Sequence, residues 1–147
     1  MLARGITVAL GTDGCASNNN LDMFQEMDTA AKLAKVAALD PTILPAPLVV
    51  RMATHYGARA LGLEQATGVL EVGKRADIIL IDIRKPHLTP LYNEYSHLVY
   101  AVNGADVETV IIDGRPVMED RRLLTIDEEE AMTRVNNIAS QVRGSFT

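Results

Sequence analysis

The residues best suited to chemistry lie together in Gly11-Thr12-Asp13-Gly14-Cys15-Ala16-Ser17-Asn18. Asp13 follows an apolar run, Ile6-Thr7-Val8-Ala9-Leu10, and stands between two glycines. A carboxylate delivered at the C-terminal tip of a buried strand is how a barrel enzyme presents a metal ligand or a general base. A loop-starting Asp also caps the turn that follows it, and spacing alone leaves both roles open. The small and amide side chains of residues 13–20 let a backbone come close to a ligand, and they also suit an ordinary polar turn. Cys15 has no base beside it in sequence, so it reads as a small buried side chain rather than a nucleophile. His55 reads as a partly buried, hydrogen-bonded histidine, and Lys74-Arg75 as a solvated pair on a turn.

The elements around this loop decide what it can do. Residues 6–10 are apolar or β-branched on both faces, which suits a strand of a parallel sheet with neighbours on each flank. Before them, residues 1–4 read as a last helical turn closed by Gly5. After the loop, Leu21, Phe24, Met27, Ala31 and Ala34 mark one face of a helix over 21–39. Asn20 is its expected cap, with Asp22 and Glu26 early and Lys32 and Lys35 late to suit the dipole. Asp40-Pro41 stops it, because the residue before proline leaves the helical region. A second helix is expected over 46–61, with Gly57 a weak point and Gly62 its end. Then come a short strand over 69–72, a turn at Gly73, and a strand over 78–83 buried on two faces. A proline-bounded loop over 86–93 leads to a helix over 94–102. Residues 107–124 form a hairpin turning at Asp113-Gly114, with Pro116 at an edge. Thr125 or Asp127 caps a closing helix that runs to about Val142, with Ala131, Val135, Ile138 and Val142 as its apolar stripe. The fold class is α/β.

Composition removes several partners. The chain has 147 residues, 48% of them hydrophobic, enough for a packed core. A net charge of −5, two Phe, four Tyr and no Trp leave no basic face for a phosphate backbone and little for bases to stack on, so nucleic acid is not an expected partner. A single cysteine excludes an internal disulfide framework. No apolar run approaches the roughly 20 residues that span a bilayer, so no membrane partner is expected, and with no secretory signal the expected compartment is the cytoplasm.

Gly11-Thr12-Asp13-Gly14 with Ala16-Ser17-Asn18-Asn19, Gly73-Lys74-Arg75-Ala76-Asp77, Pro86-His87-Leu88-Thr89-Pro90-Leu91-Tyr92 and Ser96-His97-Leu98-Val99-Tyr100 give the chain a family likeness. It resembles the metal-dependent amidohydrolases, and within them the methylthioadenosine/S-adenosylhomocysteine deaminases and the neighbouring chlorohydrolases. The resemblance implies a (β/α)₈ barrel with a small β-sandwich formed from both chain ends. Residues 6–10 would be the eighth barrel strand, residues 1–63 the end of the barrel, and residues 64–147 part of the sandwich with a closing helix. It also implies that Asp13 is the catalytic carboxylate and a metal ligand, and that Asp13 with Ser17 and Asn18 faces substrate. The activity implied is hydrolytic deamination of an adenosine-type nucleoside by water activated on a divalent metal, zinc.

The pattern departs from the family in one respect. The family's His-x-His pair after the first strand, and its histidines after the fifth and sixth, have no match among His55, His87 and His97. The expectation is therefore a C-terminal portion of an amidohydrolase, inactive and metal-free alone, taking a small nucleoside or ring amine when whole. A homo-oligomer, or self-association through residues 6–10, whose parallel neighbours would be missing, goes with it. The alternatives are a triazine or chlorohydrolase-type hydrolysis, and a non-catalytic piece that acts only by association.

Overall fold

The computed structural model describes residues 1–144. A 3-10 turn, Leu2–Arg4, is closed by Gly5 in the left-handed conformation (φ 70°), as expected. Residues 6–10 adopt no regular secondary structure and pair with no strand among the described residues, which corrects the expected buried strand. Their one cross-chain backbone bond runs from Leu10 N–H to Met52 O at 3.2 Å. A strand takes its regularity from a ladder, and here no neighbour supplies one. Ile6 is half exposed as a result, not buried.

The loop after Gly14 forms a four-residue helix α1, Cys15–Asn18, where only a loop was expected. Cys15 is exposed, so the expectation of a buried thiol is also corrected. Helix α2 spans Met23–Ala38, and its cap is Asp22 rather than Asn20: the Asp22 carboxylate accepts from Phe24 N–H. Its buried face is Phe24, Met27 and Ala31. The expected second helix divides at Thr54 into α3, Ala46–Ala53, and α4, His55–Ala60. The Thr54 hydroxyl bonds back to Val50 O at 2.8 Å, a contact that competes with the backbone ladder, so the break falls there and not at Gly57.

After α4 the chain bends at Gly62 and passes closely over it. At Gly68 (φ 94°) a Cβ would come within 2.7 Å of Ala58 Cβ and 3.2 Å of the His55 backbone, so only glycine fits the crossing. No strand forms over 69–72. One antiparallel sheet follows, in the order β1 (Ile78–Ile81), β2 (Val107–Ile112), β3 (Arg115–Glu119), β4 (Arg122–Leu123). β1 is shorter than expected and is not buried on both sides: Ile79 and Leu80 are 47% and 48% exposed. The β2–β3 hairpin turns at Asp113 (φ 51°) and Gly114 (φ 76°), the two positive values that its tight turn demands. β4 pairs only with Met118 and Glu119, so Pro116 stands at an open edge as expected.

Helix α5, Glu94–Tyr100, packs against α2 and α3. Val99 and Val102 join Phe24, Met27, Ala31, Ala46, Val49, Leu88 and Val107 in one core. Leu88, Val49 and Val99 are fully buried, each contributing about 2 kcal/mol of transfer free energy. Helix α6, Glu128–Gly144, starts at Asp127, whose carboxylate takes Glu130 N–H at 2.9 Å. None of its residues is buried, so its apolar stripe has no core to face.

Candidate functional site

Asp13 lies in the left-handed region (φ 54°), a conformation Asp tolerates better than most side chains. Its carboxylate is exposed. The Ser17 hydroxyl reaches it across the first turn of α1, 2.9 Å to Oδ2, and lies 3.0 Å from Gly14 O. Asp13 Oδ1 has no protein partner among the described residues. The structure thus brings Asp13 and Ser17 together and leaves one carboxylate oxygen facing solvent. Asn18 points elsewhere: its Nδ2 donates to Glu26 Oε1 at 2.6 Å and ties α1 to α2.

The remaining reactive side chains do not join this group. His97 Nδ1 lies 3.2 Å from Asn93 O, within its own helix. His55 packs its ring against Tyr56, and its buried Nδ1 has no hydrogen-bond partner, which corrects the expected hydrogen-bonded histidine. Lys74 is not simply solvated: its ammonium binds Glu64 O and pins the 62–77 loop. Arg75 does stay exposed, 3.9 Å from Asp113.

Sequence reasoning missed the polar cluster around buried Asp106. Asp106 is 2% exposed, and a buried carboxylate persists only where it is paired. Oδ1 takes Lys85 Nζ at 2.8 Å; Oδ2 takes Asn103 N–H at 2.9 Å and faces His87 Nε2 at 3.0 Å. Burial pushes this carboxyl up. The hydrogen bonds from Lys85, His87 and Asn103, with the Lys85 charge, outweigh it and bring the group down to about 2. The readable signal was the Asn103-Gly104-Ala105-Asp106 spacing, a capping box around a 3-10 turn. Asp77 is a lesser clip: Asp113 N–H, then the Thr67 hydroxyl, hold it below the usual carboxylate range and fasten the hairpin turn to the preceding loop.

Two adjoining grooves have volumes of about 480 and 510 Å³: the first lies against α4 and the loop over 61–70, with Leu10 and Met23, and the second lies between α2, α3 and β1, lined by Met23, Phe24, Met27, Val50 and Ile79. Asp13 lines neither; Asp77 lines both, but its carboxylate is already engaged by Asp113 N–H and the Thr67 hydroxyl, and the rest of the walls are largely apolar. One exposed carboxylate does not make a metal centre, since zinc takes at least three protein ligands. Among the described residues no group of three or more His, Cys, Asp or Glu side chains could hold a metal ion. By themselves these residues do not fit one. No helix among them is long and apolar enough to cross a membrane.

Comparison with known proteins supplies the wider frame. The profile of the amidohydrolase family matches residues 1–117. A 5-methylthioadenosine/S-adenosylhomocysteine deaminase from Syntrophus aciditrophicus is 66% identical over 146 residues, covering 99% of this chain and 33% of that protein. The crystal structure of a zinc-bound adenosine deaminase from Xanthomonas campestris superposes with a TM-score of 0.94 at 40% identity, over 97% of this chain and 33% of the other. An atrazine chlorohydrolase from Arthrobacter aurescens, also with zinc, gives 0.76 at 28% identity over 92% and 30%. The chain spans about a third of the length of the proteins it matches.

Proposed function

The chain belongs to the amidohydrolase family, and we propose that it is one part of a hydrolytic deaminase of adenosine-type nucleosides, such as methylthioadenosine or S-adenosylhomocysteine, to which it contributes the carboxylate of Asp13. The observation that carries this reading is the 66% identity to the Syntrophus aciditrophicus deaminase across almost the whole chain. The 28% likeness to a chlorohydrolase is weaker, so loss of ammonia rather than of chloride is the reaction adopted.

In this reading residues 1–63 are the end of the barrel, with 6–10 its last strand, and residues 64–147 are part of the small sandwich. The unpaired state of residues 6–10, with Ile6 half exposed, supports it, because an apolar segment without neighbours waits for a sheet to join. In the isolated chain a second copy takes that place. The zinc of the Xanthomonas campestris structure supports a divalent metal in the whole protein, which would occupy the cytoplasm. No step through that metal is assigned to this chain. What the chain offers is a proton acceptor or single oxygen ligand, held at one oxygen by Ser17 and open at the other. Ser17 therefore orients Asp13, and Asn18 fastens the loop to α2.

The test is to incubate the 147-residue chain with zinc and methylthioadenosine, then measure ammonia and tightly bound metal. The expected result is neither. Turnover by the chain alone would remove the premise that the other catalytic groups lie outside it.

A further inference from the structure

We infer that Asp22 is a positioning residue whose two carboxylate oxygens join the start of α2 to the turn that leads into β2, and so set where the Asp13 loop stands. The inference deepens the reading of Asp13 as a working carboxylate and rests on it. Capping a helix needs one side-chain oxygen, and Asp22 Oδ1 does this at 2.9 Å from Phe24 N. The second oxygen is not needed for the cap. Oδ2 reaches 82 residues along the chain to accept Gly104 N–H at 3.0 Å.

Both ends of this clamp are fixed. Gly104 opens the turn Gly104–Asp106, which is closed by the Asn103–Asp106 capping box and anchored by Lys85 and His87 on buried Asp106. At the other end, the loop over 13–20 is fastened to the first turns of α2. Asn20 Oδ1 takes Asp22 N–H, Asn20 Nδ2 donates to Gln25, and Asn18 Nδ2 donates to Glu26. The loop therefore moves with the N-terminus of α2, and that terminus is held by Asp22. The approach is close: a Cβ on Gly104 would sit 3.3 Å from Asp22 Oδ2, so the carboxylate would have to give by a few tenths of an ångström.

Phe24, Met27 and Ala31 keep α2 in the core whether or not the clamp is made. Its loss should therefore be felt in the loop more than in the fold. Asp22→Asn separates these effects. Asparagine caps as well as aspartate, but its one amide oxygen cannot serve both Phe24 N–H and Gly104 N–H.

The experiment is NMR on the full 147-residue chain. In the parent chain the Ser17, Asn18 and Asn19 amides should share the order of α2, near 0.85; in Asp22→Asn they should fall below about 0.6 while α3 amides stay unchanged. Gly104→Ala, which leaves Asp22 itself intact, should produce a smaller fall at the same three amides. In the longer enzyme, Asp22→Asn should lower kcat at least about ten-fold with KM within about three-fold, since misplacing a reacting group costs rate. Loop order at the parent value in a folded Asp22→Asn chain would overturn the inference, as would a KM rise with kcat unchanged. The order parameters need no activity, so they read the clamp even if the deaminase assignment fails.

Discussion

Asp13 and Asp106 show how differently two aspartates of one chain can be used. Asp13 is exposed, with one carboxylate oxygen engaged by Ser17; Asp106 is buried and fully engaged, the state of a group kept for the fold. Asp13 could be picked out in the sequence as a candidate because a carboxylate between glycines after an apolar run is a local pattern. Asp106 could not, because Lys85 and His87 lie about 20 residues away and only tertiary packing brings them together. The depressed value of Asp106 gives a pH prediction with a definite sign. Its folded value lies below the ordinary 3.8, so the stabilisation is fully present above pH 3.8 and is lost as pH falls through about 2. The loss is on the order of 2 kcal/mol. Urea unfolding at pH 5 and pH 2 should show it, and Asp106→Asn should flatten the difference. An equal acid loss in that variant would place the effect on other carboxylates.

At the scale of elements, amphipathic spacing located α2 and α6 and the Asp113-Gly114 turn located the β2–β3 hairpin, because each signal is written in contiguous residues; the apolar pattern of 94–102 was ambiguous, and α5 was expected there on weaker grounds. What spacing could not give was which stripe meets a core. The stripe of α2 is buried at Phe24, Met27 and Ala31, whereas α6 keeps the same spacing with Val135 and Ile138 64% and 58% exposed. The boundaries slipped where a side chain competed locally, as Asp22 did with Asn20 for the cap and Thr54 did with the backbone of α3. Packing predicts a sharp contrast between two aliphatic positions. Val49→Ala, at a fully buried site, should cost about 2 kcal/mol. Ile138→Lys, on the open face of α6, should change stability by less than about 0.5 kcal/mol. Chemical denaturation of both variants checks this, and a large loss at Ile138 would mean that α6 packs against something in solution.

The whole molecule explains why a legible loop comes without a complete site. Residues 6–10 and β1 carry the apolar composition of doubly covered strands, yet Ile6, Ile79 and Leu80 are about half exposed. Composition at these positions reports the surroundings for which the sequence is suited, and a third of a family's length does not supply them. In the proposed reading the same reasoning accounts for one carboxylate standing without histidines. The most direct test is a chimera in which this chain replaces the matching third of the Syntrophus aciditrophicus deaminase, assayed for ammonia released from methylthioadenosine. The account predicts turnover by the chimera and a loss of at least about 100-fold on Asp13→Asn, with the fold retained. A folded chimera that releases no ammonia, or one whose Asp13→Asn variant works as well as its parent, would contradict it.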